Sequence, residues 1–189
     1  NMYTQMAQVL SGYTPEGKIR QFDEDGNLDT SSPRKLKECV FFNFARLLQK
    51  DEIKKGSFSM TLGTGDYNNP MTTTLVLGDS GKENDYRVNS PAGEYAILSA
   101  SAGYNDTYII PAPAVGLIFY QAGIVVLSGS AFVSGGFNAA SADAGILTAS
   151  VAMDSLGSPF NFVLTGTAIS GTCDDLRHRI KDISFNNTT

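Results

Sequence analysis

Gly78-Asp79-Ser80-Gly81 is the shortest stretch of this sequence that reads as chemistry, because it matches a serine-nucleophile signature. A serine becomes a nucleophile when a histidine takes its proton and a carboxylate orients that histidine. The chain holds one histidine, His178, and it lies downstream of Ser80, whereas the signature has its histidine upstream. All four residues are turn formers, and Ser80 follows a strand-like run at Thr72–Leu77, so the motif reads as a turn.

The second polar constellation is Asp23-Glu24-Asp25-Gly26-Asn27-Leu28-Asp29. Asp23, Asp25, Asn27 and Asp29 set oxygen ligands at alternate positions, as a calcium loop begins. The second half of that loop fails: Leu28 stands where the motif has Gly, and Arg34 where it has a bidentate Glu. A solvated acidic turn is the simpler reading. His178 lies between Arg177 and Arg179, whose charges disfavour a metal ion nearby. With Cys39 and Cys173 widely separated, the usual zinc ligand sets cannot be assembled. Gly63-Thr64-Gly65 opens no phosphate loop, since no Gly-Lys-Ser/Thr follows. The expectation is a protein without cofactor and without catalytic residues.

These residues must be positioned by strands. Ser57–Leu62 alternates with period two, and Thr72–Leu77 and Glu94–Ser99 are further strand candidates. Ala114–Tyr120 and Gly123–Ser128 form the clearest pair, with Gly123 suited to the left-handed position of a short hairpin turn. Later strands are expected at Ile146–Met153 and Phe160–Thr167, a short helix at Asp174–Arg179, and an extended end through Ile183 and Phe185. One helix is expected over 33–55. Leu36, Val40, Phe44, Leu47 and Leu48 make its apolar face, Ser32 and Pro33 its start, and Gly56 its stop. Residues 1–32 read as an arm lying on the domain or on a neighbour, with one helical turn at Met6, Val9 and Leu10. Residues 33–189 read as a single β-rich domain that continues beyond this sequence. The fold class expected is mainly β, an antiparallel sheet or sandwich with one prominent helix; α+β is the minor alternative.

Composition narrows the function classes. The net charge of −5 gives a phosphate backbone no reason to bind. Charged residues make up 17%, below the usual share of about a quarter, so part of the surface is expected to face another chain. No apolar run approaches the length of a membrane span; the best, Val115 to Leu127, is interrupted by Gln121 and Gly123.

Aromatic residues supply the last signal: 11 Phe and 8 Tyr, with no Trp. Phe41, Phe42, Tyr95, Phe119 and Tyr120 are the expected interaction surface, since such rings offer large rigid contact area. They fall within segments that resemble one family. These are Phe41-Phe42-Asn43-Phe44-Ala45-Arg46-Leu47-Leu48-Gln49-Lys50-Asp51-Glu52-Ile53-Lys54-Lys55-Gly56-Ser57-Phe58, Asn89-Ser90-Pro91-Ala92-Gly93-Glu94-Tyr95, Val115-Gly116-Leu117-Ile118-Phe119-Tyr120-Gln121-Ala122-Gly123-Ile124-Val125-Val126-Leu127, and Ile183-Ser184-Phe185-Asn186-Asn187-Thr188-Thr189. Together they resemble virion structural proteins of T4-like myoviruses, especially those of marine cyanophages. The resemblance implies a tail or baseplate component, with neck as an alternative, assembled in the host cytoplasm, that packs against other virion proteins and itself. It implies no catalytic residue, no nucleic acid and no membrane. The alternative function is a carbohydrate-binding β-domain of a fibre or host-recognition protein, with the acidic 23–29 turn as a calcium clamp.

Overall fold

Val115 to Leu127 folds as the hairpin at the heart of the sheet. In this computed structural model the described residues are 2–23, 25–28, 35–36, 39–47, 52–64, 73–102, 114–128 and 180–187. Strands β8 (Ala114–Phe119) and β9 (Ile124–Ser128) pair antiparallel from Phe119↔Ile124 to Gly116↔Leu127. Gly123 takes φ +62° in the connecting turn, the left-handed value that glycine adopts without cost. Nearly every residue of both strands is buried, so both faces of the hairpin are covered. A run apolar at every position, rather than at alternate ones, is the sequence form of such a strand.

The protein is mainly β and antiparallel, as its patterning predicts. The other strands are β1 (Phe22–Asp23), β2 (Lys35–Leu36), β3 (Cys39–Asn43), β4 (Ser59–Thr64), β5 (Thr73–Gly78), β6 (Arg87–Ser90), β7 (Gly93–Ala102) and β10 (Ile180–Ser184). Eight strands make one curled sheet in the order β10-β4-β5-β7-β8-β9-β3, with β6 also on β7; β1 and β2 form a separate ribbon.

The inner face of the curl holds one apolar cluster, including Met60, Leu62, Leu98, Ile118, Val125 and Leu127. Phe44 lies after β3 and Phe185 after β10, yet their ring centres are 6.0 Å apart, with Phe58 5.8 Å from Phe44. The two ends of the strand order therefore meet. Residues 52–58 close this end: Ile53 N–H donates to Tyr120 O and Lys54 N–H to Asn186 O. Bulges tune which side chains turn inward. An extra residue in β10 between Ile180 and Asp182 lets Ile180 and Ile183 both face the core, despite a spacing of three.

The outer face of β7, β8, β9 and β3 is covered by the N-terminal layer. Helix α1 (Met2–Leu10) buries Ala7 and Leu10 against it, and Phe22 of β1 packs edge-on to Tyr3 and to Phe119. The Tyr3 hydroxyl donates to Leu36 O at 2.6 Å and accepts from Phe22 N–H, tying helix and ribbon into one layer.

The helix expected over 33–55 is not there. Its place is taken by β2, β3 and a single 3₁₀ turn, Ala45–Leu47, and the one helix among the described residues is α1. Cys39 to Asn43 pairs with β9 without a break, placing Cys39 and Phe41 outward and Val40 and Phe42 inward. The expected strands at 146–153 and 160–167 and the helix at 174–179 lie outside the described residues.

Candidate functional site

The Gly78-Asp79-Ser80-Gly81 turn is built around its carboxylate rather than its serine. Lys82 N–H donates to Asp79 O, and Gly81 takes φ +78° at the third position, as a type II turn requires. Ser80 stands exposed on the outside. Asp79 is fully buried. Its Oδ1 accepts from Phe58 N–H (2.8 Å), and its Oδ2 accepts from Gly56 N–H and the Tyr120 hydroxyl, both at 2.8 Å. The carboxylate thus locks residues 56–58 to the end of β5 and to the central hairpin. Burial raises Tyr120 well above the ordinary phenol range, and the Asp79 charge adds to the rise, so Tyr120 stays a donor. His178 lies outside the described residues, so no serine–histidine pair is formed among them.

Beside this turn sits Lys55. Its ammonium lies 2.5 Å from Glu94 Oε2 and 3.7 Å from Glu52 Oε1. It also lies 4.8 Å from the centre of the Tyr86 ring and 5.5 Å from that of Tyr120. Burial alone would lower its pKa; the Glu94 hydrogen bond and the two carboxylate charges outweigh that and raise it. Two carboxylates and two ring faces around one cation are a clamp, and the clamp joins segment 52–56 to β7.

The acidic turn is a second structural fastening. Asp23 is fully buried and pairs with Lys35 at 2.5 Å, joining β1 to β2. Asp25 accepts from Asn27 twice, from N–H and from Nδ2, each at 3.1 Å. The turn is pinned on the sheet: the Tyr95 hydroxyl donates to Gly26 O at 2.7 Å, and Asn89 Nδ2 donates to Asn27 O. Leu28, where a calcium loop has glycine, takes φ +55°, and burial of its side chain in the outer cluster offsets that strain. Asp29 lies outside the described residues. The oxygens of Asp23 and Asp25 are engaged by protein donors, and among the described residues no group of three His, Cys, Asp or Glu is placed to hold a metal ion. Millimolar calcium should therefore leave the melting temperature within about 1 °C, since a ligand stabilises only in proportion to its binding of the folded state. A saturable rise of several degrees would show a calcium site in this turn.

The expected aromatic surface needs correction. Tyr95, Phe119 and Tyr120 are 0% exposed, because the N-terminal layer covers one face of the hairpin and the curl encloses the other. Phe119 stacks on Tyr95 with ring centres 5.2 Å apart. Burial pushes the Tyr95 hydroxyl up to about 12. Phe41 and Phe42 are half-buried and point to opposite faces of β3. Tyr95, Phe119 and Tyr120 are core, and the five rings do not form one outward patch. Among the described residues the exposed large apolar side chains are Met2, Val9, Tyr13, Leu47, Tyr86 and Val88. Two of the fastenings, Asp79 with Tyr120 and Tyr95 with Gly26, do not show in the sequence; an aspartate at a strand end before Ser-Gly is the one local sign of the first, and the second has none. No helix among the described residues is long and apolar enough to cross a membrane. No family model matches the chain, and no match was found among curated proteins or solved structures.

Proposed function

We propose that this chain is a structural component of a phage particle, in the tail, baseplate or neck, acting through contacts with other virion proteins and with its own copies. The observation that carries the reading is how reactive groups that are buried or partly buried among the described residues are used. Asp79, Tyr120, Asp23, Tyr95 and Lys55 are all spent on backbone groups, ion pairs or ring faces that fasten loops to the sheet. Such investment suits a rigid part of an assembly. The resemblance of the four sequence segments to T4-like virion proteins, and the low charge of the chain, point the same way. Of the tyrosines a carbohydrate-binding surface would use, Tyr95 and Tyr120 are core residues while Tyr86 is exposed, and in the acidic turn Asp25 is bonded to Asn27, which favours the assembly reading.

Immunogold labelling of purified phage particles that carry the gene tests the reading. Gold is expected on the tail or neck. Particles free of label, with the antigen confined to the soluble extract of infected cells, would overturn it.

A further inference from the structure

We propose that helix α1 is a strap that undocks as one piece, swinging about Gly12, while the curled sheet beneath it stays folded. The inference goes beyond the assembly reading and does not need it. A helix shorter than about 12–15 residues is marginal in water by itself, so α1 is held by its docking. It has nine residues, with no acidic side chain in its first turn and no basic one in its last. The docking is slight: Ala7 and Leu10 are fully buried, and Tyr3 and Met6 partly, against the outer cluster. One buried group works against it. Ser11, at the end of the helix, is 0% exposed, and its hydroxyl meets no hydrogen-bond partner among the described residues. Water satisfies that hydroxyl once the helix lifts, so the docked state bears a cost that the undocked state does not.

The joint lies next to Ser11. Gly12 takes φ +75°, and past it the chain has fastenings of its own. Arg20 N–H donates to Gly12 O, Thr14 N–H donates to Lys18 O, and Tyr13 bridges to Ile19. A short helix on one side of a glycine and a bonded hairpin on the other is the arrangement of a hinge. What the strap covers is read at Tyr3, near its N-terminal end. The Tyr3 ring lies edge-on to Phe22, with ring centres 5.5 Å apart. Its hydroxyl and Cys39 Sγ converge on one acceptor, Leu36 O, at 2.6 and 3.9 Å. When α1 lifts, Tyr3 goes with it, and the Phe22 ring and the Cys39 thiol meet solvent. The strap thus gates one part of the outer apolar cluster.

Two readouts on the full chain, each followed against urea, test this. The first is amide exchange at Ser11, whose N–H donates to Ala7 O. It should proceed through an opening with little urea dependence, because little surface is exposed, while Val125 and Val126 in β9 show the full dependence of unfolding. The second is labelling of Cys39 by a disulfide reagent, in a Cys173→Ser background that leaves it the one thiol of the chain. Ala7→Gly weakens the helix and should speed both readouts about fivefold. Ser11→Ala removes the unpartnered hydroxyl and should slow the labelling at least about fivefold. Tyr120→Phe weakens the sheet away from the strap and should leave the labelling within about twofold of its original rate. Readouts that carry the full urea dependence, or that Tyr120→Phe accelerates as it does unfolding, overturn the proposal, since α1 then leaves only with the sheet. Exchange that responds to Ala7→Gly while Cys39 does not also overturns it, because the helix then frays in place. Either failure leaves the gold labelling of the particle, and so the assembly reading, untouched.

Discussion

Gly116→Ala should cost about 3 kcal/mol, at the upper end of what overpacking a core does. Gly116 sits in β8 opposite Leu127, in the hairpin whose two faces are both buried. A Cβ there would overlap the carbonyl oxygen of Val126 and lie 3.0 Å from Leu127 Cα. Both obstacles are backbone, so relief requires β8 and β9 to move apart and to disturb both clusters at once. Gly93→Ala is the informative contrast. Its Cβ would overlap the Gln121 amide, the far end of an exposed side chain that can swing into water. What remains is the strain of φ +91°, about 1–3 kcal/mol for a residue with a side chain. Urea denaturation of the two variants measures the difference. A Gly116→Ala protein within about 1 kcal/mol of wild type would mean that the strands do not approach this closely in solution.

The parts of the fold legible in the sequence are those whose partners are near in the chain. The β8–β9 hairpin shows as a continuous apolar run with a glycine in its turn, β4 shows by alternation, and β5 and β7 show as short strand-like runs. The missing helix over 33–55 has a simple cause. Val40 and Phe44 are four apart, a helical spacing that is also twice the strand spacing, and Phe42 between them is apolar too. Val, Phe and Cys favour a pleated, half-buried surface, and the partner β9, some eighty residues on, settles the choice. Helix α1 shows poorly because it is short and uncharged, with no acidic residue in its first turn and no basic one in its last. The bulge in β10 breaks the period that would have marked its inner face. At the candidate site the illegibility is of the same kind. Asp79 meets Gly56 across 23 residues and Tyr120 across 41, and Tyr95 meets Gly26 across 69. A four-residue motif says nothing of such partners, and it drew attention to Ser80, the exposed neighbour of the residue that matters.

The fastening role of Asp79 leads to the second large effect. Asp79→Ala leaves Gly56 N–H, Phe58 N–H and the Tyr120 hydroxyl without their acceptor, and the Phe58 and Tyr120 bonds are buried. Each buried donor left unpaired costs about 1–3 kcal/mol, so the variant should lose about 3–5 kcal/mol. Asp79→Asn keeps one acceptor oxygen but turns an N–H₂ toward a donor, and should fall between Asp79→Ala and wild type. Tyr120→Phe alone removes one bond to a charged group and should cost about 1.5–3 kcal/mol. In the Asp79→Ala background the same change deletes an orphaned donor, so it should be neutral or stabilising. The double-mutant cycle should accordingly give a coupling of at least about 1.5 kcal/mol, within the range found for residues in one hydrogen-bonded network. Additivity within about 0.5 kcal/mol would show that Tyr120 does not bond Asp79 in solution. The segment this carboxylate holds closes the end of the curled sheet where Phe44, Phe58 and Phe185 meet. In Asp79→Ala that end should open first, with amide exchange at Ile53 and Lys54 accelerating more than at Val125 and Val126.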